Sequence, residues 1–384
     1  MHIKIIGSGI TGITTAYYCV KNKHKVSIYD ERRYPAMATS YANGGQISAS
    51  NAETWNSWEN IRKASKWLLK KDAPLLISMK PDPEKLIWLY KFIQSIPFKD
   101  LNTLETCKMA IKSNFLYNQI IEEENVKFDC VKKGILHIFK DKNELEKARL
   151  TNKIYNKAGL DRWEISNKEI KEIEPMISEK SIVGGFYNTF DFTGDIHKFC
   201  MELNKILTNK YKVKIIKNHV SNLNNYLDDC DAIIVCAGTG SKKLAKSIND
   251  NLPIYPVKGY SITINHPGEN SPWVSLLDED AKIVTSRLGN DRLRIAGTAE
   301  LCGYNTDIRW DRIRPLIKWT EKYFPNINTE DIKPWAGLRP MTPNMMPIIK
   351  QSSNNKKVYY NTGHGHLGWT LSAYTAKTIS NYFK

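Results

Sequence analysis

The stretch Ile3-Lys4-Ile5-Ile6-Gly7-Ser8-Gly9-Ile10-Thr11-Gly12 decides the fold of this 384-residue chain. A short β-branched run leads into the pattern Gly-x-Gly-x-x-Gly, and an apolar-faced helix follows it. The segment Lys25-Val26-Ser27-Ile28-Tyr29-Asp30 then forms a second strand that ends in a carboxylate. A strand, a glycine turn, a helix and a second strand with an acid about 20 residues further on are typical of a dinucleotide site.

Each glycine of this pattern has its own physical reason. Gly7 permits a tight turn, Gly9 lets the backbone approach a pyrophosphate, and Gly12 lets helix and strand pack closely. The N–H groups and positive dipole at the helix N-terminus face the phosphates. Asp30 can accept hydrogen bonds from both hydroxyls of an adenosine ribose. The unit predicts a dinucleotide and leaves NAD and FAD both open.

The composition indicates a folded protein that is long enough for two domains, with 41% apolar and 10% aromatic residues. No run of 18 or more uncharged apolar residues occurs, so we expect no membrane-spanning helix. Because a strand is predicted directly at the N-terminus, we expect no signal peptide. Seven cysteines without a CxxC pair favour reduced thiols and a cytoplasmic location.

The formal net charge of +16 arises from 56 basic and 40 acidic residues. A charge of this size is compatible with nucleic-acid binding. The lysines, however, are scattered along the chain beside Asn, Glu and Asp instead of forming one stripe. We therefore expect a solvated basic surface and no nucleic-acid partner. Such a surface would favour the approach of anionic substrates or of an anionic membrane face.

Strand patterns alternate with helix patterns at both ends of the chain, and the middle is rich in strands. One hairpin signal is Gly289-Asn290-Asp291, which lies between the apolar residues Val284 and Leu293. This order predicts an α/β domain that is interrupted by an α+β domain.

A second strong motif, Asn361-Thr362-Gly363-His364-Gly365-His366-Leu367-Gly368-Trp369-Thr370, directly precedes the last predicted helix. Its glycines allow the backbone to lie against a flat ligand, and the helix dipole would stabilise the negative charge of a reduced flavin. A glycine-rich turn capped by Thr370 is the structural alternative. A metal site is not expected, because no acidic or Cys partner lies near the two histidines.

A third motif is Trp335-Ala336-Gly337-Leu338-Arg339-Pro340-Met341-Thr342-Pro343-Asn344-Met345-Met346-Pro347. Its three prolines predict a rigid extended loop. A guanidinium held on such a segment can bind a carboxylate through two parallel hydrogen bonds, which makes Arg339 a candidate binding residue. A structural salt bridge of Arg339 fits the spacing equally well.

Together and in this order, the motifs resemble those of FAD-dependent amine oxidoreductases of the D-amino-acid oxidase and glycine oxidase group. Two further stretches carry the resemblance: Ser40-x-x-Asn43-x-Gly45-Gln46-Ile47-Ser48 and Tyr255-Pro256-x-Lys258-Gly259-Tyr260-Ser261. The similarity runs from the first strand to the last helix. Within the group, the chain is most similar to the bacterial D-amino-acid dehydrogenase small subunits.

The resemblance implies an α/β FAD-binding, Rossmann-like domain with an inserted α+β substrate domain built on a largely antiparallel sheet. The FAD-binding domain is expected to comprise residues 1–80, 190–242 and 333–384. The substrate domain is expected to comprise residues 81–189 and 243–332.

The resemblance also implies which residues hold FAD. The pyrophosphate and adenosine ribose would be held by Ile6, Gly7, Ser8, Gly9, Ile10, Thr11, Gly12, Tyr29, Asp30, Glu31 and Arg32. Phosphate or ribityl hydrogen bonds would come from Thr39 and Ser40, and the isoalloxazine would lie beside Asn43, Gly44, Gly45 and Gln46. The adenine would contact Val220, and the dinucleotide would pass Ala237 and Gly238. The pyrimidine edge of the flavin would be covered by Gly363, His364, Gly365, His366, Leu367, Gly368, Trp369 and Thr370.

For the substrate, the resemblance implies that Arg339 binds the carboxylate and that Tyr260 donates its hydroxyl to the same group. The implied reaction is hydride transfer from the Cα of a D-amino acid to flavin N5. Water would hydrolyse the resulting imino acid to a 2-oxo acid and ammonia. The electrons would pass to a quinone or another non-oxygen acceptor.

Two alternatives stay open. One is an FAD-dependent oxidase of glycine, sarcosine or another small or secondary amine, since no motif distinguishes oxygen from quinone as the acceptor. The more remote one is a basic-surface binding protein without catalysis.

A peripheral contact with the inner face of the bacterial inner membrane is a further hypothesis. Trp58, Ile61, Ala64 and Leu68 share one predicted helical face, and a separate set of cations occupies the other faces. These cations are Arg62, Lys63, Lys66 and Lys70. Ordinary packing of this helix over the core is the structural alternative.

Overall fold

The computed structural model describes residues 1–67 and 73–384. The strands are β1 (His2–Ile6), β2 (Lys25–Asp30), β3 (Gln46–Ile47), β4 (Leu75–Ile77), β5 (Ile135–Phe139), β6 (Trp163–Ile165), β7 (Gly184–Asn188), β8 (Phe192–Thr193), β9 (Lys214–Lys217), β10 (Ala232–Val235), β11 (Tyr255–Asn265), β12 (Ser275–Asp278), β13 (Ile283–Leu288), β14 (Arg292–Leu301), β15 (Ile332–Met341), β16 (Ile348–Gln351) and β17 (Val358–Thr362). The α-helices are α1 (Ile10–Lys21), α2 (Trp58–Trp67), α3 (Pro83–Gln94), α4 (Lys99–Glu124), α5 (Lys142–Ala158), α6 (Asn167–Ile173), α7 (Ile196–Asn209), α8 (Ser241–Lys246), α9 (Trp310–Tyr323) and α10 (Gly368–Ser380).

A six-stranded sheet in the order β16-β17-β10-β1-β2-β9 carries the opening glycine motif. Its strands are parallel except for β16, which pairs antiparallel with β17. The central strand β1 pairs Ile3 with Ala232 on one side and with Val26 on the other. These apolar side chains are buried because α1, α7 and α10 add to a common core on this sheet.

The second sheet is built from β15-β11-β14-β13-β12-β5-β7-β6, with β4 added beside β14. It is antiparallel apart from the β12–β5 and β14–β4 pairs. Helix α9 covers one face, where Ile313, Leu316 and Trp319 pack against apolar strand residues. The predicted fold class, an α/β domain joined to an α+β domain on a largely antiparallel sheet, is confirmed.

Strand pairing and helix packing differ from the predicted domain boundaries in three places. Strand β4, within 1–80, and most of β15, within 333–384, belong to the nine-stranded sheet. Helix α4, within 81–189, packs against α10, so that Leu116 and Tyr117 join the core of the six-stranded sheet. Helices and strands join whichever core buries their apolar face, and their order along the chain does not reveal which core that is. The division into two domains stays a prediction.

The predicted loop around Arg339 is a strand for most of its length. Residues 335–341 lie in β15, which pairs with β11 over ten positions from Ile332–Ile264 to Met341–Tyr255. The expectation of a loop was wrong because prolines are tolerated in a strand at the edge of a sheet. Strand β15 is such an edge strand, and Pro340 pairs opposite Pro256.

Gly12 is the position where a side chain would most directly disrupt this fold. A Cβ at Gly12 would lie 1.9 Å from the carbonyl oxygen of Gly7, so α1 would have to move away from β1. We predict that Gly12→Ala lowers the free energy of unfolding by about 2–3 kcal/mol in urea titrations. The matched control is Gly9→Ala, because its Cβ would meet only Ser40 Oγ at 3.5 Å. It should change stability by less than about 1 kcal/mol, and equal losses in the two variants would contradict this account.

Candidate functional site

The described part of the chain encloses a cavity with a volume of about 850 Å³. It lies where the carboxyl ends of β1, β2, β10 and β17 meet residues of the nine-stranded sheet. Ligands of open α/β sheets bind at this edge. The volume is near the upper end of the roughly 300–1,000 Å³ typical of ligand sites.

The residues predicted to hold FAD line this cavity with two exceptions, Ser8 and Gly12, and Arg339 and Tyr260 line it as well. Gly12 lies beneath Gly7, which explains its absence from the wall. Ser8 donates from its backbone N–H (2.7 Å) and from its hydroxyl (2.8 Å) to Oδ2 of Asp30. These two residues therefore shape the site and orient its carboxylate without facing the cavity.

The glycine turn leaves room for an anionic group at the start of α1. Gly7 has φ +105°, and a Cβ there would lie 2.6 Å from the Cys236 carbonyl oxygen. Gly9 precedes the helix, and no side chain caps it, while Ile10 N–H donates to Ser40 Oγ at 3.2 Å. The space that Gly9 leaves open is where a pyrophosphate would lie.

The loop between β2 and β3 is tied to the nine-stranded sheet by side-chain hydrogen bonds. Thr39 donates its hydroxyl to the Leu338 carbonyl at 2.7 Å. The carbonyls of Ala42 and Gly44 accept from Ser261 (2.8 Å) and Ser286 (2.6 Å). The loop that would lie beside the isoalloxazine is thus held in place by the substrate-side sheet.

The C-terminal motif forms the start of α10. Gly363 and Gly365 adopt φ +75° and +58°, in the left-handed region that favours glycine. No side chain caps this helix, and the Thr370 hydroxyl instead accepts from Ser48 N–H at 3.1 Å. The alternative of a turn capped by Thr370 is therefore wrong.

These features fit FAD. The N-termini of α1 and α10, whose own N-cap residues provide no side-chain cap, open onto one cavity, and both favour negative charge. One would lie at the pyrophosphate and the other at the pyrimidine edge of a flavin. Within the described residues, no three His, Cys, Asp or Glu side chains are placed to hold a metal ion.

Arg339 is a partly buried cation without a carboxylate partner among the described residues. Its guanidinium donates to the Thr298 carbonyl at 3.1 Å, and residues 1–67 and 73–384 provide no structural salt bridge to it. Removal from water lowers the pKa of Arg339 to about 10, and the side chain stays charged at neutral pH. A buried charge of this kind requires an anionic partner, which a ligand carboxylate can supply.

The hydroxyl of Tyr260, for which a contact with the substrate carboxylate is predicted, has a partner within the protein. It donates to the buried carboxylate of Glu300, which also pairs with Lys258 at 3.1 Å. Side chains alternate between the two faces of a strand. Val257 on β11 pairs opposite Arg339, so these two side chains share one face of the sheet. Tyr260, three residues further on, lies on the other face, in the core under α9. The predicted contact of this hydroxyl with the substrate carboxylate stays a prediction, and in this structure the hydroxyl donates to Glu300 instead. Burial, and then Glu300, raise the pKa of Tyr260.

His366 stacks on Trp55 with ring centroids 4.6 Å apart and 24° between the planes. Burial, and then the nearby Arg339, lower the pKa of His366 to about 3. The ring is therefore neutral at physiological pH. His364, in contrast, is built into the fold by a 2.8 Å hydrogen bond between its Nε2 and Thr375 Oγ1.

Several cavity residues were missed in the sequence. Trp55, Glu279 and Lys282 line the cavity together with Trp335. Trp335 stands in the same sequence motif as Arg339, so its closeness to Arg339 in the sequence could have identified it as a cavity residue. The other three come from a helix-rich segment and a tight turn, whose patterns give no indication that they approach Arg339.

Comparison with known proteins agrees with this geometry. The model of the family described as FAD dependent oxidoreductase (DAO) matches residues 2–382. A protein of Mesorhizobium japonicum named D-amino acid dehydrogenase 3 is 46% identical over 98% of this chain and 96% of its own length. D-Amino acid dehydrogenase of Dechloromonas aromatica is 35% identical over 99% of this chain and 96% of its own length.

Among solved structures, glycine oxidase from Bacillus cereus superposes with a TM-score of 0.74 at 18% identity, covering 99% of this chain and 94% of that chain. At this identity the likeness shows the fold alone. The family match over nearly the whole chain and the two dehydrogenase relatives carry the assignment: the chain belongs to the FAD dependent oxidoreductase family.

Proposed function

We propose that the chain oxidises D-amino acids to 2-oxo acids and ammonia, with the substrate carboxylate bound by Arg339. The observation that carries this proposal is the guanidinium of Arg339, a cation in the cavity wall that lacks a carboxylate partner among the described residues. The names of the curated relatives support D-amino acids as substrates. They also favour dehydrogenation over the oxygen-dependent alternative.

FAD, when bound, supplies the acceptor for the hydride that leaves the substrate Cα. The residues of this chain would hold it. Asp30, already oriented by Ser8, would accept from the adenosine ribose, and Gly9 would admit the pyrophosphate. The start of α10 would stabilise negative charge that develops on the flavin ring system.

Two glycines position the guanidinium. Gly259 on β11 pairs with Gly337 on β15, and both lack a side chain on the cavity face. A Cβ on Gly259 would lie 2.3 Å from the guanidinium carbon of Arg339, so this side chain lies flat over the glycine. A Cβ on Gly337 would likewise lie 2.1 Å from the ring of Trp335. The Arg339 guanidinium and the Trp335 ring thus occupy the space that a side chain at Gly259 or Gly337 would need, and a larger residue there would displace them.

Removal of the guanidinium tests the proposal. We predict that Arg339→Ala raises KM for D-alanine on the order of 100-fold, because charge-assisted hydrogen bonds are lost. The KM of Arg339→Lys should fall between those of the wild-type protein and Arg339→Ala, since an ammonium cannot form the two parallel hydrogen bonds. FAD content, measured from the flavin absorbance of the purified protein, should not change in either variant. An unchanged KM would remove Arg339 from the carboxylate role.

Displacement of the Arg339 guanidinium should also raise KM for D-alanine. We predict that Gly259→Ala raises KM for D-alanine by about 10-fold, because the added methyl group occupies the place of the Arg339 side chain. Gly240→Ala is the matched control at the cavity wall, since its Cβ would meet nothing closer than Ala237 Cβ at 3.8 Å. Equal KM values for both variants would show that Gly259 does not position Arg339.

We further propose that the electron acceptor is a quinone and that the protein meets a membrane through one face of α3. This α3 surface consists of Leu86, Ile87, Tyr90 and Ile93, which are between 39% and 63% exposed. Such an apolar arc on a helix with nearby lysines is typical of an interfacial helix. Glu84, on the same helix, lines the cavity. No described helix is long and apolar enough to cross a bilayer.

The face predicted on residues 58–70 provides less support. Leu68 and Lys70 lie outside the described residues, and Lys63 is paired with Glu59 (2.9 Å) and Glu144 (2.7 Å). Trp58 on α2 is exposed. The two faces can therefore be compared by substitution.

Flotation with phosphatidylethanolamine–phosphatidylglycerol vesicles makes that comparison. We predict that the wild-type protein binds and that binding weakens with salt. Replacement of Leu86, Ile87, Tyr90 and Ile93 by Ser should reduce the bound fraction at least about fivefold, since each apolar side chain contributes roughly 1.5–3 kcal/mol when buried. Trp58→Ser is the control and should retain binding. Loss of binding in Trp58→Ser alone would favour the α2 face, and no binding by the wild-type protein would end the proposal.

A further inference from the structure

A second cation, Lys282, lines the cavity that holds Arg339. It lies in the turn between β12 and β13, with φ +55°. The fully buried Asp278 fixes this turn, because its Oδ1 accepts from the backbone N–H groups of Asp280 (3.0 Å) and Ala281 (2.9 Å). The position of Lys282 is therefore set by the fold.

The ammonium of Lys282 is paired with one carboxylate. Its Nζ donates to Oε2 of Glu279 at 2.8 Å, while Oε1 of Glu279 lies 2.8 Å from Nδ1 of His137. The other ring nitrogen of His137 is 2.7 Å from Ser50 Oγ. Burial by itself would raise the pKa of Glu279, but Lys282 and His137 outweigh it and hold that pKa well below its usual range. Glu279 is thus ionised, and both of its oxygens are engaged.

Lys282 keeps donors for a ligand. Within residues 1–67 and 73–384, Glu279 is the one hydrogen-bond acceptor found for its ammonium, and 53% of the side chain is exposed. An ammonium has three N–H donors, so two of them can reach a molecule in the cavity. Arg339, Lys282 and His366 all line this cavity, so one ligand in it can meet both cations.

We propose, on the basis of the function proposed above, that Lys282 binds an uncharged oxygen acceptor in the side chain of the substrate. The substrate class is then D-amino acids with an amide or hydroxyl side chain, held at one end by Arg339 and at the other by Lys282.

The charges around Lys282 decide between an uncharged and a charged side chain. Glu279 lies 2.8 Å from the Lys282 ammonium and neutralises it, whereas Glu53 and Glu144 pair with other lysines. A substrate carboxylate reaching Lys282 would meet Glu279, and a cationic side chain would meet Lys282 itself. An amide oxygen accepts from the ammonium without either repulsion.

Three substrates of similar length test the proposal: D-glutamine, D-methionine and D-glutamate. For the wild-type holoenzyme, kcat/KM should be about 5- to 10-fold higher for D-glutamine than for D-methionine, and higher than for D-glutamate. In Lys282→Met the glutamine-to-methionine ratio should fall to about one. In Glu279→Gln, Lys282 loses its neutralising partner, so D-glutamate should overtake D-glutamine. Lys322→Met, whose ammonium pairs with Glu179 outside the cavity, is the control that should keep the wild-type ratios.

The outcomes separate this inference from the function on which it rests. If D-alanine reduces the flavin but the wild-type glutamine-to-methionine ratio is one, or survives Lys282→Met, the Lys282 subsite is wrong. If no D-amino acid reduces the flavin, the proposed function and the subsite both fall. Should Lys282→Met not fold, the reversal in Glu279→Gln decides alone, because an unreversed preference in that variant overturns the proposal.

Discussion

The site depends on one cation, Arg339, that no described residue neutralises. Burying a guanidinium without a carboxylate is unfavourable, and Arg339 has only the Thr298 carbonyl as a hydrogen-bond acceptor among the described residues. The pairing of β11 with β15 provides the space for the guanidinium of Arg339, because Gly259 has no side chain to fill it. The nine-stranded sheet thus keeps a positive charge facing the cavity, where a ligand carboxylate can compensate it.

The two sheets contribute different parts of one binding site. The six-stranded sheet supplies the glycine turn, Asp30 and the start of α10, all at the carboxyl ends of its parallel strands. The nine-stranded sheet supplies Arg339, and it also fixes the loop after β2 through Ser261 and Ser286. Since many activities share this fold, the activity depends on the side chains at the junction.

The parts of the molecule that depend on local sequence could be predicted from it. The glycine turn and the C-terminal motif need particular residues at fixed spacing, and both lie on the cavity wall. The face of Tyr260 could not be predicted, because nearly all of β11 is buried on both sides and shows no polar alternation. Nor could Lys282, because only the folded β12–β13 turn brings it to the cavity of Arg339.

The most direct test of the central claim is anaerobic titration of the purified holoenzyme with the two enantiomers of alanine. With the carboxylate end bound by Arg339 as proposed, only one enantiomer would place its Cα hydrogen against the flavin. We expect that D-alanine bleaches the oxidised-flavin absorbance and that L-alanine leaves it unchanged. Bleaching by neither enantiomer, or by both equally, would contradict it.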